Sequence, residues 1–277
     1  MRRGRPSPSW LLAEVRLEFM SLPQTAPIAD SALADRQPLA LLRASGVVRR
    51  YGQRAVIDGL DLHVDRGEIL VLLGENGAGK TTLMRTLAGE LAAHGGTIEI
   101  DGCPLHRDPE TARRALIYVA QHPSLAPLAS LREHATALAG FRNLEHTATA
   151  TALQALATDL RLANALDLPI RALSGGMQHK AALILAFLAQ TPLMMLDEPH
   201  TGLDVRSALA LRALILQRKA GGTAFILASH MAEASLALAD RALVLRGGKV
   251  GRAFSLVELQ GFGGDARAFE LAVLGAM

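Results

Sequence analysis

The most specific chemistry in the chain lies in the stretch Gly74-Glu75-Asn76-Gly77-Ala78-Gly79-Lys80-Thr81-Thr82. From Gly74 to Thr81 it fits the pattern G-x-x-x-x-G-K-[ST]. Glycines let a backbone fold tightly, so that successive N–H groups point inward. Those donors, with the positive end of a following helix, favour a chain of phosphates. Lys80 adds a full charge for β- and γ-phosphates, and Thr81 offers a hydroxyl to Mg²⁺. The bland alternative is a glycine-rich turn with a surface lysine. At average residue frequencies the four fixed positions arise by chance in a chain this long about one time in a hundred. The flanks argue further against chance. Glu68–Leu73 reads as a buried strand and Thr82–Ala88 as a helix.

Three other groups can act on a bound phosphate. Asp197 and Glu198 follow the apolar run Leu193-Met194-Met195-Leu196. Ligands of parallel α/β sheets collect at strand carboxyl ends, so Asp197 is placed to hold Mg²⁺ with Thr81, and Glu198 to polarise a water. The alternative is a capped strand end. His230 ends the next apolar run, Ala224–Ala228, where an imidazole can hydrogen-bond a γ-phosphate or the water. Most histidines are ordinary surface or packing residues, and position alone favours a role here. Leu173-Ser174-Gly175-Gly176-Met177-Gln178 precedes a helix read over Ala181–Ala189. That is either a second anion site or a plain helix N-cap.

These residues need strands and helices to hold them. Leu41–Tyr51 and Ala55–Val64 read as strands, with turns at Gly52 and Asp65-Arg66-Gly67. Gly95–Gly102 reads as a strand entering a turn, and Leu116–Ala120 as another strand. From Leu128 to about Leu168, Ala and Leu recur at helical spacing, which predicts an inserted group of two to four helices. Arg241–Leu245 and Lys249–Phe254 read as a hairpin around Gly247-Gly248, and the tail from Ser255 as one or two helices. Buried strands alternating with helices predict an α/β sheet with helices on both faces.

Composition sets the outer limits. A chain of 277 residues is one large domain or two small ones. Hydrophobic residues make up 50% but aromatics only 4%, so the core must be aliphatic. The net charge of +3 is modest, and no basic stripe for nucleic acid is visible. Arg49 and Arg50 read as solvated charges at a strand end. Cys103 is the single cysteine, so no internal disulfide forms; it reads as structural, in a turn with Pro104. No apolar run reaches the roughly 20 residues that span a bilayer, so a transport role needs a separate membrane partner. Residues 1 to about 40 carry five prolines and little periodicity. Their early arginines and Trp10-Leu11-Leu12-Ala13 resemble the start of a signal peptide, but Glu14, Arg16 and Glu18 break it. The segment reads as a disordered extension, with a short amphipathic helix over 9–20 as the alternative.

Taken together the motifs closely resemble the ATP-binding-cassette (ABC) ATPase family, in order from about residue 41 to 250. Gly74–Thr82 resembles the Walker A loop, and Tyr51 the aromatic residue that stacks on adenine. Gln121 looks like the glutamine that senses Mg²⁺ and couples to the helical subdomain. Leu173–Gln178 matches the LSGGQ-type signature, with Met177 in the fifth place. Asp197 and Glu198 match Walker B and its catalytic glutamate, Thr201-Gly202-Leu203-Asp204 the D-loop, and His230 the switch histidine. His200 departs from the usual Ser or Thr, and His179 sits at a variable place; neither removes a catalytic group.

The resemblance implies a P-loop NTPase core with a mixed sheet, a small antiparallel β subdomain and an inserted α-helical subdomain at about 122–180. The ATPase domain would span 41–277 after the N-terminal extension. It implies nucleotide binding by Tyr51, by Gly74, Glu75, Asn76, Gly77, Ala78, Gly79, Lys80, Thr81 and Thr82, by Gln121, and by Ser174, Gly175 and Gly176 acting across a dimer. Metal would be held by Thr81, Gln121 and Asp197, and catalysis carried by Glu198, His230 and Lys80. ATP and Mg²⁺ are the implied substrate and cofactor. The implied partners are a transmembrane permease subunit and a second copy or a related ATPase, with no nucleic acid, at the cytoplasmic face of the membrane. Export is favoured over import on the texture of Gly176-Met177-Gln178 and of His230-Met231-Ala232-Glu233-Ala234. The alternative is a soluble ATPase for assembly or remodelling, such as an iron–sulfur assembly protein. A kinase or GTPase is disfavoured by the Ser174-Gly175-Gly176 run and the paired acids.

Overall fold

The computed structural model describes residues 40–230 and 236–275. The N-terminal extension and the run Met231–Ala234 lie outside the described residues. The chain divides into two compact units. One holds the described residues within Pro27–Gln121, Thr191–Thr201 and Ala208–Met277; the other holds His122–Gln190 and Gly202–Ser207.

The first unit contains two sheets. A four-stranded antiparallel sheet runs β2 (Arg54–Val64), β1 (Leu42–Tyr51), β4 (Gly95–Ile100) and β5 (Cys103–Pro104). Cys103 therefore pairs with Ile100 in a two-residue strand rather than standing in a turn. A six-stranded sheet runs β10 (Lys249–Phe254), β9 (Arg241–Arg246), β3 (Ile69–Leu73), β8 (Ala224–Ala228), β7 (Leu193–Asp197) and β6 (Leu116–Val119). Its strands are parallel from β9 to β6, and only β10 is antiparallel. Every residue of β3, β7 and β8 is buried, as expected of parallel strands covered on both faces. That double burial is why they read in sequence as unbroken apolar runs.

Helix α1 (Lys80–Leu87) follows β3, and a short helix α2 (Pro109–Arg114) precedes β6. Asp108 caps α2 through its side chain, with Pro109 in the first turn. One buried cluster joins the inner faces of β1, β2 and β4 to β3, β7, β8 and α1 through Leu, Ile, Val, Met and Ala alone. That cluster is aliphatic, as composition leads one to expect, while Phe187, Phe225, Phe254 and Phe269 are fully buried outside it.

The second unit is helical: α3 (Leu131–Arg142), α4 (His146–Asp159), two single turns at Ala163–Ala165 and Ile170–Ala172, and α5 (Gly175–Leu188). Ser130 and Glu133 close a capping box on α3. His134, in the same helix, accepts the Ala126 N–H at Nε2 (3.1 Å), and its Nδ1 lies 2.8 Å from the Ser130 carbonyl. The ring thus fastens the segment after residue 121 to the first turn of α3. Helix α6 (Val205–Ala220) begins in this unit and continues in the first; α7 (Leu256–Gly261) and α8 (Ala266–Leu274) end the described chain.

The hairpin between β9 and β10 borders the phosphate-loop region: a Cβ on Gly74 would fall 2.8 Å from the Leu245 carbonyl oxygen, and the turn itself packs on Val56. Gly248 has φ +79°, and a Cβ there would fall 2.4 Å from the Val56 carbonyl oxygen. The same oxygen would be 3.0 Å from a Cβ on Gly79, φ +106°. The Asp58 N–H also donates to the Gly248 carbonyl at 3.0 Å. Gly248→Ala is therefore expected to destabilise the fold by about 1–3 kcal/mol from the left-handed backbone alone, with the overlap adding to it. Thermal unfolding checks this, at about 2–4 °C per kcal/mol. Gly247→Ala, with nothing within 4 Å of the new methyl, should fall less.

Candidate nucleotide and catalytic site

Four neighbouring parallel strands, β3, β8, β7 and β6, present their carboxyl ends along one edge of the sheet. Beyond β3 comes the loop Gly74–Gly79; beyond β8, Ser229 and His230; at the end of β7, Asp197 and then Glu198; beyond β6, Gln121. The topology alone brings these positions to one rim, where ligands of such sheets gather.

The loop and its helix are built for an anion. Helix α1 has no side chain capping its N-terminus and no acid in its first turn, so its first N–H groups and its dipole are left for a ligand. Lys80, the first helical residue, is buried and folds back: Nζ donates to the carbonyls of Gly74 (2.7 Å) and Glu75 (3.2 Å). Burial pushes its ammonium below the ordinary lysine range, while the charges of Glu198 and Asp197 oppose that shift. A desolvated ammonium beside an uncapped helix end is a strong phosphate ligand.

Thr81 and Asp197 meet directly. The Thr81 hydroxyl donates to Asp197 Oδ2 at 2.7 Å. The Tyr118 hydroxyl donates to the same oxygen at 3.3 Å. Asp197 Oδ1 is buried and has no hydrogen-bond partner. Burial, and after it the charge of Glu198, raises the Asp197 carboxyl above its usual range, against the lowering effect of the Thr81 bond. A buried acceptor left open beside a threonine hydroxyl suits a hard cation with oxygen ligands. Among the described residues no cluster of three His, Cys, Asp or Glu could hold a metal alone. A cation here would complete its shell from phosphate and water, the habit of Mg²⁺.

Glu198 and His230 form the second contact. His230 Nδ1 lies 2.9 Å from Glu198 Oε2. The Glu198 side chain is 9% exposed and that of His230 55%, so the pair runs from the protein to solvent. Glu198 takes a left-handed backbone, φ +51°, immediately after β7. Its N–H still donates to the Ala228 carbonyl (2.9 Å), extending the β7–β8 ladder by one bond. A carboxylate so placed can accept a proton from water and pass orientation through the imidazole. Gln121 is half-buried two residues past β6, level with Glu198 by the register Val119↔Leu196.

In the helical unit, Ser174 caps α5, its Oγ accepting the Met177 N–H at 3.3 Å. The helix starts at Gly175 and not at Ala181, so Gly175 and Gly176 form its first turn. Ser174 and Gly175 are exposed. Lys180, on the same helix, pairs with Asp204 at 2.7 Å, and that contact holds the Asp204 carboxyl well below the usual carboxylate range. Asp204 also accepts from the backbone N–H (3.0 Å) and hydroxyl (2.8 Å) of Ser207, which ties Gly202–Ser207 to α5.

Two contributors escape the motifs. The Tyr118 hydroxyl on Asp197 depends on the β6–β7 register, which no sequence spacing gives. Arg49, read above as solvated, instead lies over the Tyr51 ring with Cζ 4.9 Å from its centroid. Period-two alternation along β1 puts residues 49 and 51 on one face and could have shown this. Arg50 is exposed, as expected.

Comparison with known proteins identifies a family. The family model described as "ABC transporter" matches residues 57–201, a span that includes Gly74–Thr82, Gln121, the Ser174 run and the Asp197-Glu198 pair but neither Tyr51 nor His230. The aliphatic sulfonates import ATP-binding protein SsuB 2 of Paraburkholderia xenovorans is 36% identical over 240 residues, covering 84% of this chain and 89% of the relative. The Nod factor export ATP-binding protein I of Rhizobium etli is 29% identical over 249 residues, covering 86% and 79%. A solved structure of the ATP-binding subunit of an ABC transporter superposes with a TM-score of 0.77 at 29% identity, covering 84% of this chain and 99% of that one.

Proposed function

The chain belongs to the ABC transporter family, as one of its ATP-hydrolysing, ATP-binding subunits, and from that premise we propose that it drives a separate membrane permease by ATP-dependent closure of a dimer. The observation that carries the site assignment is the paired arrangement at one sheet edge. Thr81 and Asp197 share a bond that leaves Asp197 Oδ1 open, and Glu198 and His230 share another beside the uncapped start of α1.

In this reading the N–H groups of Gly74–Thr82 and the Lys80 ammonium hold the β- and γ-phosphates, and the adenine stacks on Tyr51. Thr81, Asp197 and Gln121 hold Mg²⁺, which when bound neutralises charge on the phosphate oxygens. Glu198 orients a water and takes its proton as the water oxygen bonds to the γ-phosphorus. The bond from that phosphorus to the bridging oxygen breaks, and ADP leaves with the electron pair. His230 fixes the Glu198 carboxylate through Nδ1. Ser174, Gly175 and Gly176 serve the nucleotide of a second copy or a related ATPase, which gives this exposed helix start its use. ATP then favours the closed pair because it binds that state better than the open one. Domain limits follow the same reading: an ATPase domain over 41–277, with its helical insertion at about 122–180.

No helix among the described residues is long and apolar enough to cross a membrane. In this reading the permease is another polypeptide, and this chain docks peripherally on the cytoplasmic face. Relatives named for import and for export both match. We favour export on the Gly176-Met177-Gln178 run. The test is a pull-down of tagged full-length chain from detergent-solubilised membranes. A multi-span membrane protein recovered in stoichiometric amount is the expected result, and its substrate in a vesicle assay gives the direction. Recovery of soluble proteins alone would overturn the transporter role and leave the ATPase chemistry standing.

A further inference from the structure

Tyr51 ends β1 and is 49% exposed. Its register partner is Arg54, at the mouth of the β1–β2 hairpin. Two residues further, the Val56 carbonyl lies against Gly79 of the phosphate loop. The ring thus stands on the strand pair that borders the loop. One of its faces is taken. The Arg49 guanidinium carbon lies 4.9 Å from the ring centroid. That guanidinium is itself anchored, since Nη1 donates to the Ala92 carbonyl at 2.8 Å. Its Nε is shielded from solvent without a hydrogen-bond partner.

Ala92 belongs to the segment that leaves α1, and this segment is laced to β1. The His94 N–H donates to the Val48 carbonyl at 2.7 Å, and the Arg50 N–H to His94 Nδ1 at 3.3 Å. A continuous set of contacts therefore runs from the helix that starts at the phosphate loop, through Ala92 and Arg49, to the Tyr51 ring. A planar cation on one face of an aromatic ring restricts its swing and leaves the opposite face for a second flat partner. A ring ordered before binding loses less conformational freedom when a base stacks on it.

We propose that Arg49 is a positioning residue for the nucleotide base: it closes one face of Tyr51 and presents the other to the purine. The inference rests on the reading of Tyr51 as the stacking residue, and its test separates the two. Dissociation constants for ATP and for inorganic tripolyphosphate are measured by competition on the full chain, for wild type, Arg49→Ala, Arg49→Lys and Tyr51→Ala. The ratio of the tripolyphosphate constant to the ATP constant isolates what the base contributes.

Arg49→Ala should lower that ratio about 3- to 10-fold through weaker ATP binding, with tripolyphosphate changed less than about twofold. Arg49→Lys keeps the charge without the plane and should recover only part of the loss. Tyr51→Ala should lower the ratio at least as far, and adding Arg49→Ala to it should change nothing more. An unchanged ratio in Arg49→Ala beside a collapsed one in Tyr51→Ala overturns the role of Arg49 and keeps the stacking. Equal weakening of both ligands by Arg49→Ala also overturns it, because the residue would then be supporting the loop. An unchanged ratio in Tyr51→Ala sinks the stacking reading itself.

Discussion

Glu198→Gln is expected to slow steady-state ATP hydrolysis by on the order of 10²–10⁴-fold while leaving ATP affinity within a few-fold of wild type. The amide keeps the volume of the carboxylate, so the nearly closed position at the end of β7 stays filled. It keeps an oxygen that His230 Nδ1 can contact, so the pair geometry survives. What it loses is the ability to accept a proton. General-base catalysis is worth on the order of 10²–10⁴-fold, and turnover should fall by that amount. The phosphate ligands do not pass through Glu198: Lys80 and the start of α1 are separate side chains and backbone. The substitution also removes one of the two charges that oppose the burial shift of Lys80, so a small change in affinity is consistent with the site. If ATP closes a dimer and hydrolysis opens it, the variant should persist as a dimer in ATP and Mg²⁺ on size exclusion with light scattering, where wild type returns to monomer. Turnover near the wild-type rate would remove Glu198 from the catalytic role.

The sheet and the rim residues were legible because of how parallel strands are buried. β3, β7 and β8 have no solvent face, so each reads as an apolar run, and its first polar residues mark the carboxyl end where ligands gather. Asp197 and His230 were found by that rule, and Gly74 by the loop pattern that follows β3. Contacts between strands distant in sequence were not legible. Tyr118 and Asp197 are 79 residues apart, and their bond follows from a register that only the folded sheet fixes. Other misses were local and had a signal. Asp108 followed by Pro109 announces α2. The start of α5 was placed too late because two glycines lower helix propensity, yet Ser174 as N-cap outweighs them. Arg49 was read as solvated because charge suggested water; its place two residues before Tyr51 on one strand decides otherwise.

Lys80→Ala tests the other half of the site, with the opposite signature. Removing a charge-assisted contact to phosphate costs about 1.5–3 kcal/mol, roughly 10- to 150-fold in affinity. The fold should survive it. Lys80 is a buried ammonium whose pKa is lowered chiefly by desolvation, so keeping its charge inside costs stability at neutral pH, and alanine removes that cost. Against this, the carbonyls of Gly74 and Glu75 lose a donor, and Asp197 and Glu198 lose a nearby cation. The opposing effects predict a nucleotide-free unfolding temperature within a few degrees of wild type. Ligand linkage separates the two roles. At 100 times the wild-type dissociation constant, ATP stabilises the native state by about 2.7 kcal/mol. If affinity falls 100-fold, the same concentration gives only about 0.4 kcal/mol, and the upward shift in unfolding temperature nearly vanishes. Thermal unfolding with and without ATP therefore reads fold and binding in one experiment. A full ATP-induced shift in Lys80→Ala would mean that the Gly74–Thr82 loop does not hold the phosphates.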